Sequence, residues 1–311
     1  FAEGAPGSPT DQAAKFRQLG QDIPTPNVFR NAAGAPGPAY WQQRADYVID
    51  VALDEDTKRL TGSETIAYTN NSPDPLDYLW VQLDQNRFKD GSQARMSETA
   101  STSGTRRSSS GKGDSLSYNA LARQQALSDV AYGAQIMAVE DTNGNALPYV
   151  INDTNMRIDL PAPLASGASL DFRIDWEHAI IDEAIIGGRG GYEHFPDTDT
   201  YIYFLAQWFP RMAAYTDYEG WHTKAFLGRG EFTLEFGDYD VSITVPSDHV
   251  VSATGVLQNP RKVLSAEQRR RLSRKVSTDE PVFIVTPDEA RENEKSKSNK
   301  MVTWKFKAEN V

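Results

Sequence analysis

A period-two alternation of apolar and polar residues begins at Ala45 and constrains the fold more than any other feature. Tyr47, Ile49, Val51 and Leu53 occupy every second position and alternate with Asp46, Val48, Asp50 and Ala52. Successive side chains of an extended strand point to opposite faces, so this pattern predicts a half-buried β-strand. An acidic turn follows, and residues 60–70 repeat the pattern, which predicts a partner strand.

Similar short runs continue to the end of the chain, separated by turn signals such as Asn143-Gly144 and Pro161-Ala-Pro163. A capping box at Ser265-Ala-Glu-Gln268 predicts a helix to about Val276. The predicted class is all-β, an antiparallel β-sandwich or saddle-like sheet with a few short helices. The other predicted strands cover 76–83, 130–139, 147–150, 156–160, 170–176, 201–208, 231–245, 250–256, 282–285 and 301–306, and the other short helices 11–19 and 119–127.

Composition divides the chain into an extension and one β-domain. Residues 1–40 are rich in Ala, Gly and Pro, which predicts an N-terminal extension lying on the surface. Residues 41–311 form the predicted domain. Its pattern is interrupted at 89–128 by a tract rich in Ser, Thr and Gly, which predicts a loop insertion because added loop length costs little.

Charge and composition restrict the partners. The formal net charge of −11 argues against nucleic acid, which requires a basic footprint. No apolar run reaches the length of about 18 residues that a membrane span needs. The 311 residues contain no cysteine, which excludes disulfides and thiolate metal sites but does not fix the compartment. The chain begins at Phe1 without a Met or a signal-like segment, so we expect a processed protein that is exported to the periplasm or cell exterior with its signal removed.

Common catalytic motifs are absent from this sequence. There is no H-E-x-x-H zinc motif, and none of His178, His194, His222 and His249 has another histidine four residues away. Neither a G-x-S-x-G elbow nor a P-loop occurs, and Gly187–Gly191 is interpreted as a hairpin or lid loop. We therefore expect this chain alone to hydrolyse nothing.

The densest group of chemically informative residues spans Tyr201–Trp221. Aromatic side chains surround Gln207, Arg211, Asp217 and Glu219 there. Pro210 is expected to end the strand, because proline cannot donate to a ladder. A Gln, an Arg and aromatic residues at a strand end are typical of a cleft edge, where they could anchor a charged peptide terminus by hydrogen bonds. A core aromatic cluster with a structural arginine salt bridge is the alternative interpretation.

Four segments resemble the membrane-alanyl-aminopeptidase family of zinc exopeptidases, gluzincins related to leukotriene hydrolase. The first is the opening hairpin, with Leu60-Thr-Gly-Ser-Glu-Thr-Ile-Ala-Tyr-Thr-Asn70 as its second strand. The most specific is Ala206-Gln-Trp-Phe-Pro-Arg-Met212. The others are Phe232–Gly255 and Thr303–Val311.

The resemblance implies an N-terminal β-domain that precedes a thermolysin-like catalytic domain. Zinc and the G-x-M-E-N exopeptidase motif would lie in that C-terminal domain, so no cofactor is expected in this chain. Its expected partners are its own C-terminal catalytic domain and peptide substrates. Gln207 matches the family residue that binds the substrate's free α-amino group, and it is the one residue that the resemblance carries over. From the local cluster, Trp208 and Arg211 are also named as substrate-binding residues, with a structural role as the alternative that is favoured for Arg211.

Two other functions compete with this one. The first is a stand-alone β-sandwich module that binds a glycan or a peptide, with Tyr215, Tyr218 and Trp221 as a platform. The second is a purely structural domain with Gln207 buried and without a ligand.

Overall fold

The computed structural model describes residues 26–98, 118–228, 230, 233–274, 282–295 and 297–311. Most of the regular structure in these ranges is strand, which confirms the predicted all-β class. The strands are β1 Arg44–Asp54, β2 Arg59–Thr69, β3 Leu76–Gln82, β4 Gln135–Asp141, β5 Tyr149–Asn152, β6 Asn155–Leu164, β7 Ser169–Ala179, β8 Gly191–Phe195, β9 Thr200–Phe204, β10 Arg211–Met212, β11 Tyr215–Thr216, β12 Gly220–Trp221, β13 Tyr239–Pro246, β14 Val256–Leu257 and β15 Met301–Ala308.

The helices are short and lie between strands. The capping box at Ser265 and Gln268 is confirmed, and its helix ends at Leu272. None of the helices in the described ranges is long and apolar enough to cross a membrane. They are α1 Gln93–Ser97, α2 Tyr118–Asp129, α3 Glu183–Ile186, α4 Pro260–Val263, α5 Ala266–Leu272 and α6 Pro287–Asn293, with a 3-10 helix at Asp84–Phe88.

Seven strands form the larger sheet, in the order β14-β15-β13-β1-β2-β7-β4. The alternation predicted from the sequence is confirmed in β1, whose residues 45, 47, 49, 51 and 53 are buried. The pairing of β1 with β13 is parallel, with Tyr47 opposite Tyr239, so the sheet is mixed rather than purely antiparallel. Parallel neighbours need a crossover connection, here the whole of β2 to β12.

A second sheet of four strands, in the order β10-β3-β6-β5, packs its apolar face against the first. Leu79, Val81, Met156 and Ile158 from this sheet share one core with Ile49, Ile66, Phe172, Ile174 and Trp176 from the larger sheet. At roughly 25 cal/mol per Å² of apolar surface, such side chains dominate the stability of the domain.

Several predicted boundaries are wrong. Pro161-Ala-Pro163 lies inside β6 rather than in a connection, because a bulge opposite Leu76–Tyr78 leaves these residues exposed and without ladder partners. Residues 282–285 and 250–255 are not strands, and α6 was not predicted.

The two proposed additions to the domain are described only in part. Helices α1 and α2 are the regular structure described within the predicted insertion at 89–128. The helix predicted at 11–19 lies outside the described residues. From Pro26 onward the N-terminal segment packs on the domain, with Arg30 contacting Asp217.

Candidate functional site

The segment Gln207–Arg211 carries the three residues predicted to bind substrate. It joins β9 to β10, where Arg211 pairs with Gln82 of β3. The strand predicted at 201–208 ends at Phe204, so Gln207 and Trp208 lie in a connecting loop. Pro210 precedes β10 and does not end a strand, contrary to the sequence-based expectation.

Gln207 has an unusual backbone conformation for a residue with a side chain. Its φ of 56° lies in the left-handed region, which costs a non-glycine residue roughly 1–3 kcal/mol. Its carbonyl oxygen accepts a 2.9 Å hydrogen bond from Nε2 of Gln85. Its partly exposed side chain makes no hydrogen bond to the part of the chain that the structure describes. The backbone is therefore fixed while the amide is available to a ligand.

Trp208 is fixed by tilted and edge-on aromatic contacts and by its carbonyl group. Its ring lies 5.9 Å from that of Trp176 and 4.8 Å from that of Phe209. The carbonyl oxygen lies 2.9 Å from Nε2 of His178, and Nδ1 of the same imidazole lies 3.1 Å from the carbonyl oxygen of Ala179. Burial lowers the pKa of His178, and the two carbonyl contacts oppose the shift.

Arg211 forms a buried ion pair with Asp84 of the 3-10 helix. Its Nε and Nη2 atoms both contact Oδ2 of Asp84, at 2.9 and 2.5 Å. The side chains of Arg211 and Asp84 are 12% and 2% exposed. The structural arginine salt bridge that the sequence suggested as an alternative to substrate binding is thus present. It directs the guanidinium toward the buried Asp84. A contact between Arg211 and substrate stays a prediction.

A layer of aromatic rings lies under this segment. Tyr47 stacks on Tyr239 at 4.8 Å, and Phe209 meets Tyr47 edge-on at 5.7 Å. The hydroxyl of Tyr47 accepts a 2.9 Å hydrogen bond from the backbone amide of Met212. Beside it lies Glu64 of β2, whose two carboxyl oxygens are buried without a partner in the described chain. Burial raises the pKa of Glu64 well above its usual range.

Sequence reasoning missed four residues that support this segment: Glu64, Asp84, Gln85 and His178. A signal existed for Glu64, because it falls on the apolar face of the alternating strand β2, where a carboxyl group is out of place. The contacts of Asp84, Gln85 and His178 join residues 30 to 127 positions apart. No local pattern could have revealed them.

An apolar cavity of about 1150 Å³ borders the segment. Trp208 and Phe209 contribute to its wall, together with side chains from β1 and β13. Its lining also includes the acidic residues Glu55, Asp199 and Glu294. Glu55 and Asp199 already pair with His249 and Lys297 of the same wall. A mainly apolar wall of this kind suits a ligand with an apolar side chain.

The four histidines do not assemble a metal centre. His178 contacts two carbonyl groups, and the other three pair separately with Asp199, Thr216 and Glu55. Among the described residues, no group of three His, Cys, Asp or Glu side chains has an arrangement that could hold a metal. Within the described ranges the residues therefore do not fit a catalytic zinc site, which needs three protein ligands.

The aromatic platform considered for a glycan is not open. Tyr215 is 7% exposed, and Trp221 packs against it and against Tyr68. Tyr218 is exposed on one side, but the guanidinium of Arg30 lies 5.2 Å from its ring centre. The expectation that Tyr215 is exposed is wrong, because it belongs to the core, and Trp221 is only partly exposed where it packs against that core.

No family model matches this chain, and no curated protein matches it. Solved structures with a similar chain path include the M1 zinc metallopeptidase from Deinococcus radiodurans, at 12% identity and a TM-score of 0.37, covering 88% of this chain and 40% of that one. A mutant two-domain M1 zinc metallopeptidase bound to L-tryptophan has 11% identity, a TM-score of 0.38 and coverages of 88% and 41%. At these values the similarity carries no argument about activity. The chain spans about 40% of the length of the M1 structures that it matches.

Proposed function

We propose that this chain is a non-catalytic, substrate-positioning β-domain of a zinc aminopeptidase. Gln207 would bind the free amino terminus of a peptide. The observation that supports this role is the combination of a clamped, left-handed backbone with an unpartnered, partly exposed amide at Gln207. Strained backbone held in place by its surroundings is a common property of ligand-binding positions.

The chemistry of the amide suits this ligand. The α-ammonium group of a peptide has only donors, and the side-chain oxygen of Gln207 is an acceptor with two lone pairs. An acetylated terminus carries no charge and presents a single amide N–H, so it would bind less well. The apolar rings of Trp208 and Phe209 would border the first side chain of the peptide.

Hydrolysis would be divided between two domains. The proposed C-terminal catalytic domain would bind zinc, which supplies an activated water and polarises the scissile carbonyl. The present chain would fix the amino terminus, so that only the first peptide bond reaches the reacting groups. Such orientation lowers the barrier without any chemistry by this domain.

The test is Gln207→Ala in the full-length natural protein, assayed on peptides with free and with acetylated amino termini. Loss of a hydrogen bond to a charged group costs about 1.5–3 kcal/mol, so kcat/KM for free peptides should fall about 10- to 100-fold. Gln42→Ala serves as the matched control, because Gln42 is exposed and its backbone carbonyl, which Asn71 contacts, is retained. Unchanged kinetics in Gln207→Ala would exclude the proposed role.

A second candidate, a stand-alone module that binds peptides, is favoured by the apolar cavity of about 1150 Å³. Calorimetric titration of this chain with apolar peptides distinguishes the two candidates. A module that recognises only the side chains of a peptide should bind peptides with free and with acetylated amino termini equally. The proposed positioning domain should prefer the free form.

A further inference from the structure

We propose that Gln85 and His178 are positioning residues, which hold the backbone of Gln207 and Trp208 so that the Gln207 amide faces the peptide terminus. This inference rests on the proposed function and assigns the geometry of that site to two side chains from different parts of the fold. Gln85 lies in the 3-10 helix after β3, and His178 lies at the end of β7.

Gln85 holds the first of two successive carbonyl groups. Its Nε2 atom donates to the carbonyl oxygen of Gln207 at 2.9 Å. The preceding residue, Asp84, binds Arg211 through two hydrogen bonds. One helical turn thus fixes both ends of the segment from Gln207 to Arg211, one end through its backbone and the other through a side chain.

His178 holds the second carbonyl group, that of Trp208. The imidazole is 2% exposed, and Nε2 lies 2.9 Å from the Trp208 oxygen. Because a carbonyl oxygen can only accept, the contact forms a hydrogen bond when Nε2 carries the proton. The ring stacks on Trp176 at 5.7 Å and 16°, which fixes its plane.

The ring of Trp176 is itself confined. A Cβ atom placed on Gly62 of β2 would lie 2.3 Å from Cζ2 of Trp176, so the indole occupies the space that a side chain at 62 would fill. Gly62 thus makes room for Trp176, Trp176 packs against His178, and His178 contacts the carbonyl of Trp208. Gln85 contacts the neighbouring carbonyl from the 3-10 helix that follows β3 of the other sheet.

With the single proton of the neutral His178 ring on Nε2, donors on two consecutive carbonyls account for the left-handed φ of 56° at Gln207. Rotation of the backbone toward the common right-handed or extended regions would move the 207–208 peptide group and turn both oxygens away from these donors. The side chain of Gln207 takes no part in the clamp, so it remains free for a ligand. Loss of either donor should leave the amide present but poorly aimed.

The test uses Gln85→Met and His178→Phe in the full-length natural protein. Methionine keeps the length of Gln85 without its N–H donor, and phenylalanine keeps an aromatic ring at position 178 without the two imidazole nitrogens. Each should lower kcat/KM for peptides with a free amino terminus about 10- to 100-fold. Each should change kcat/KM for acetylated peptides very little. A general loss of folding would instead lower kcat/KM for both kinds of peptide.

A double variant separates positioning from mere structural support. In the Gln207→Ala background, Gln85→Met should have no further effect on kcat/KM, because the group that it aims is already gone. Additive losses would contradict the inference. If His178→Phe fails to fold, Gln85→Met alone tests the inference. Gln85 is only partly buried, so we expect that variant to fold.

The possible failures are distinguishable. Full activity of Gln207→Ala overturns the proposed function and the inference with it. A reduced Gln207→Ala together with fully active Gln85→Met and His178→Phe overturns the inference alone and leaves the proposed function standing.

Discussion

Arg211 directs Nε and Nη2 at a single oxygen of Asp84, at 2.9 and 2.5 Å, while Oδ1 of Asp84 has no partner in the described part of the chain. Burial raises the pKa of the Asp84 carboxyl, and the adjacent guanidinium of Arg211 opposes that shift. The charge of Asp84 in the folded state therefore depends on Arg211.

Arg211→Met should destabilise the domain severely, because it leaves a carboxyl group buried without a partner. Breaking one side of a buried pair costs about 3–5 kcal/mol, whereas replacing both sides by apolar residues is often nearly neutral. Urea unfolding should therefore show a smaller loss for Asp84→Leu combined with Arg211→Met than for Arg211→Met alone.

The matched control for this prediction is Arg157→Met, which breaks the exposed pair with Asp159. Exposed pairs contribute about 0–1 kcal/mol, so this variant should unfold almost like the natural sequence. Equal losses of unfolding free energy in Arg157→Met and Arg211→Met would show that the buried pair stabilises the domain no more than an exposed pair does.

Glu64→Gln should remove a pH dependence from the folding stability. Burial raises the folded-state pKa of Glu64 above the ordinary value of 4.5. Below pH 4.5 the carboxyl is protonated in both states, and as the pH rises above 4.5 the unfolded chain loses its proton first. The free energy of unfolding should thus fall with rising pH in the natural sequence, and less steeply in Glu64→Gln.

Urea unfolding at pH 5, 6, 7 and 8 measures this difference. Glu309→Gln is the control, because Glu309 is exposed and should leave the slope unchanged. A natural sequence and a Glu64→Gln variant with parallel pH profiles would mean that Glu64 is not desolvated in the folded protein.

Much of the fold could be predicted from the sequence, because strand periodicity is local. The alternation in β1 and β2 marks the buried face residue by residue. The parallel pairing of β1 with β13 is not encoded in either strand, since about 190 residues separate Tyr47 from Tyr239. Topology of this kind depends on long-range packing.

Only those residues of the candidate site that lie close together in the sequence were predictable. The grouping of Gln207, Trp208 and Arg211 is visible in the sequence. The structure places Gln207 and Trp208 on the connection that leads into β10 and Arg211 at the start of β10. The end of the strand at Phe204 was not predictable, because the apolar run continues through Ala206, beyond the last strand residue. The left-handed backbone at Gln207 depends on Gln85 and His178, which are distant in sequence.

The N-terminal segment should contribute to stability through Arg30. Its Nε atom lies 2.9 Å from both carboxyl oxygens of Asp217, whose side chain is only 2% exposed. The guanidinium also lies 5.0 Å from the ring centre of Tyr40 and 5.2 Å from that of Tyr218. Arg30→Met leaves Asp217 buried and unpaired, so we expect a loss of about 1–3 kcal/mol.

The measurement is the unfolding free energy of Arg30→Met beside Arg173→Met. Arg173 pairs with Asp175 and is 51% exposed, so its loss should cost less than about 1 kcal/mol. Limited proteolysis of Arg30→Met should also show faster cleavage between 26 and 40. Equal stability of the two variants would contradict a structural role for this contact.

Gly62→Ala should disturb the site from a distance, because the new methyl group would lie 2.3 Å from Cζ2 of Trp176. The indole must move, and His178 stacks on it. Overpacking of this kind costs about 1–3 kcal/mol, which urea unfolding would detect. Thr61→Ala is the control, because it changes an exposed neighbour in the same strand. Tryptophan fluorescence should shift in Gly62→Ala and not in Thr61→Ala, and an unshifted spectrum with natural stability would show that the sheet absorbs the methyl without moving Trp176.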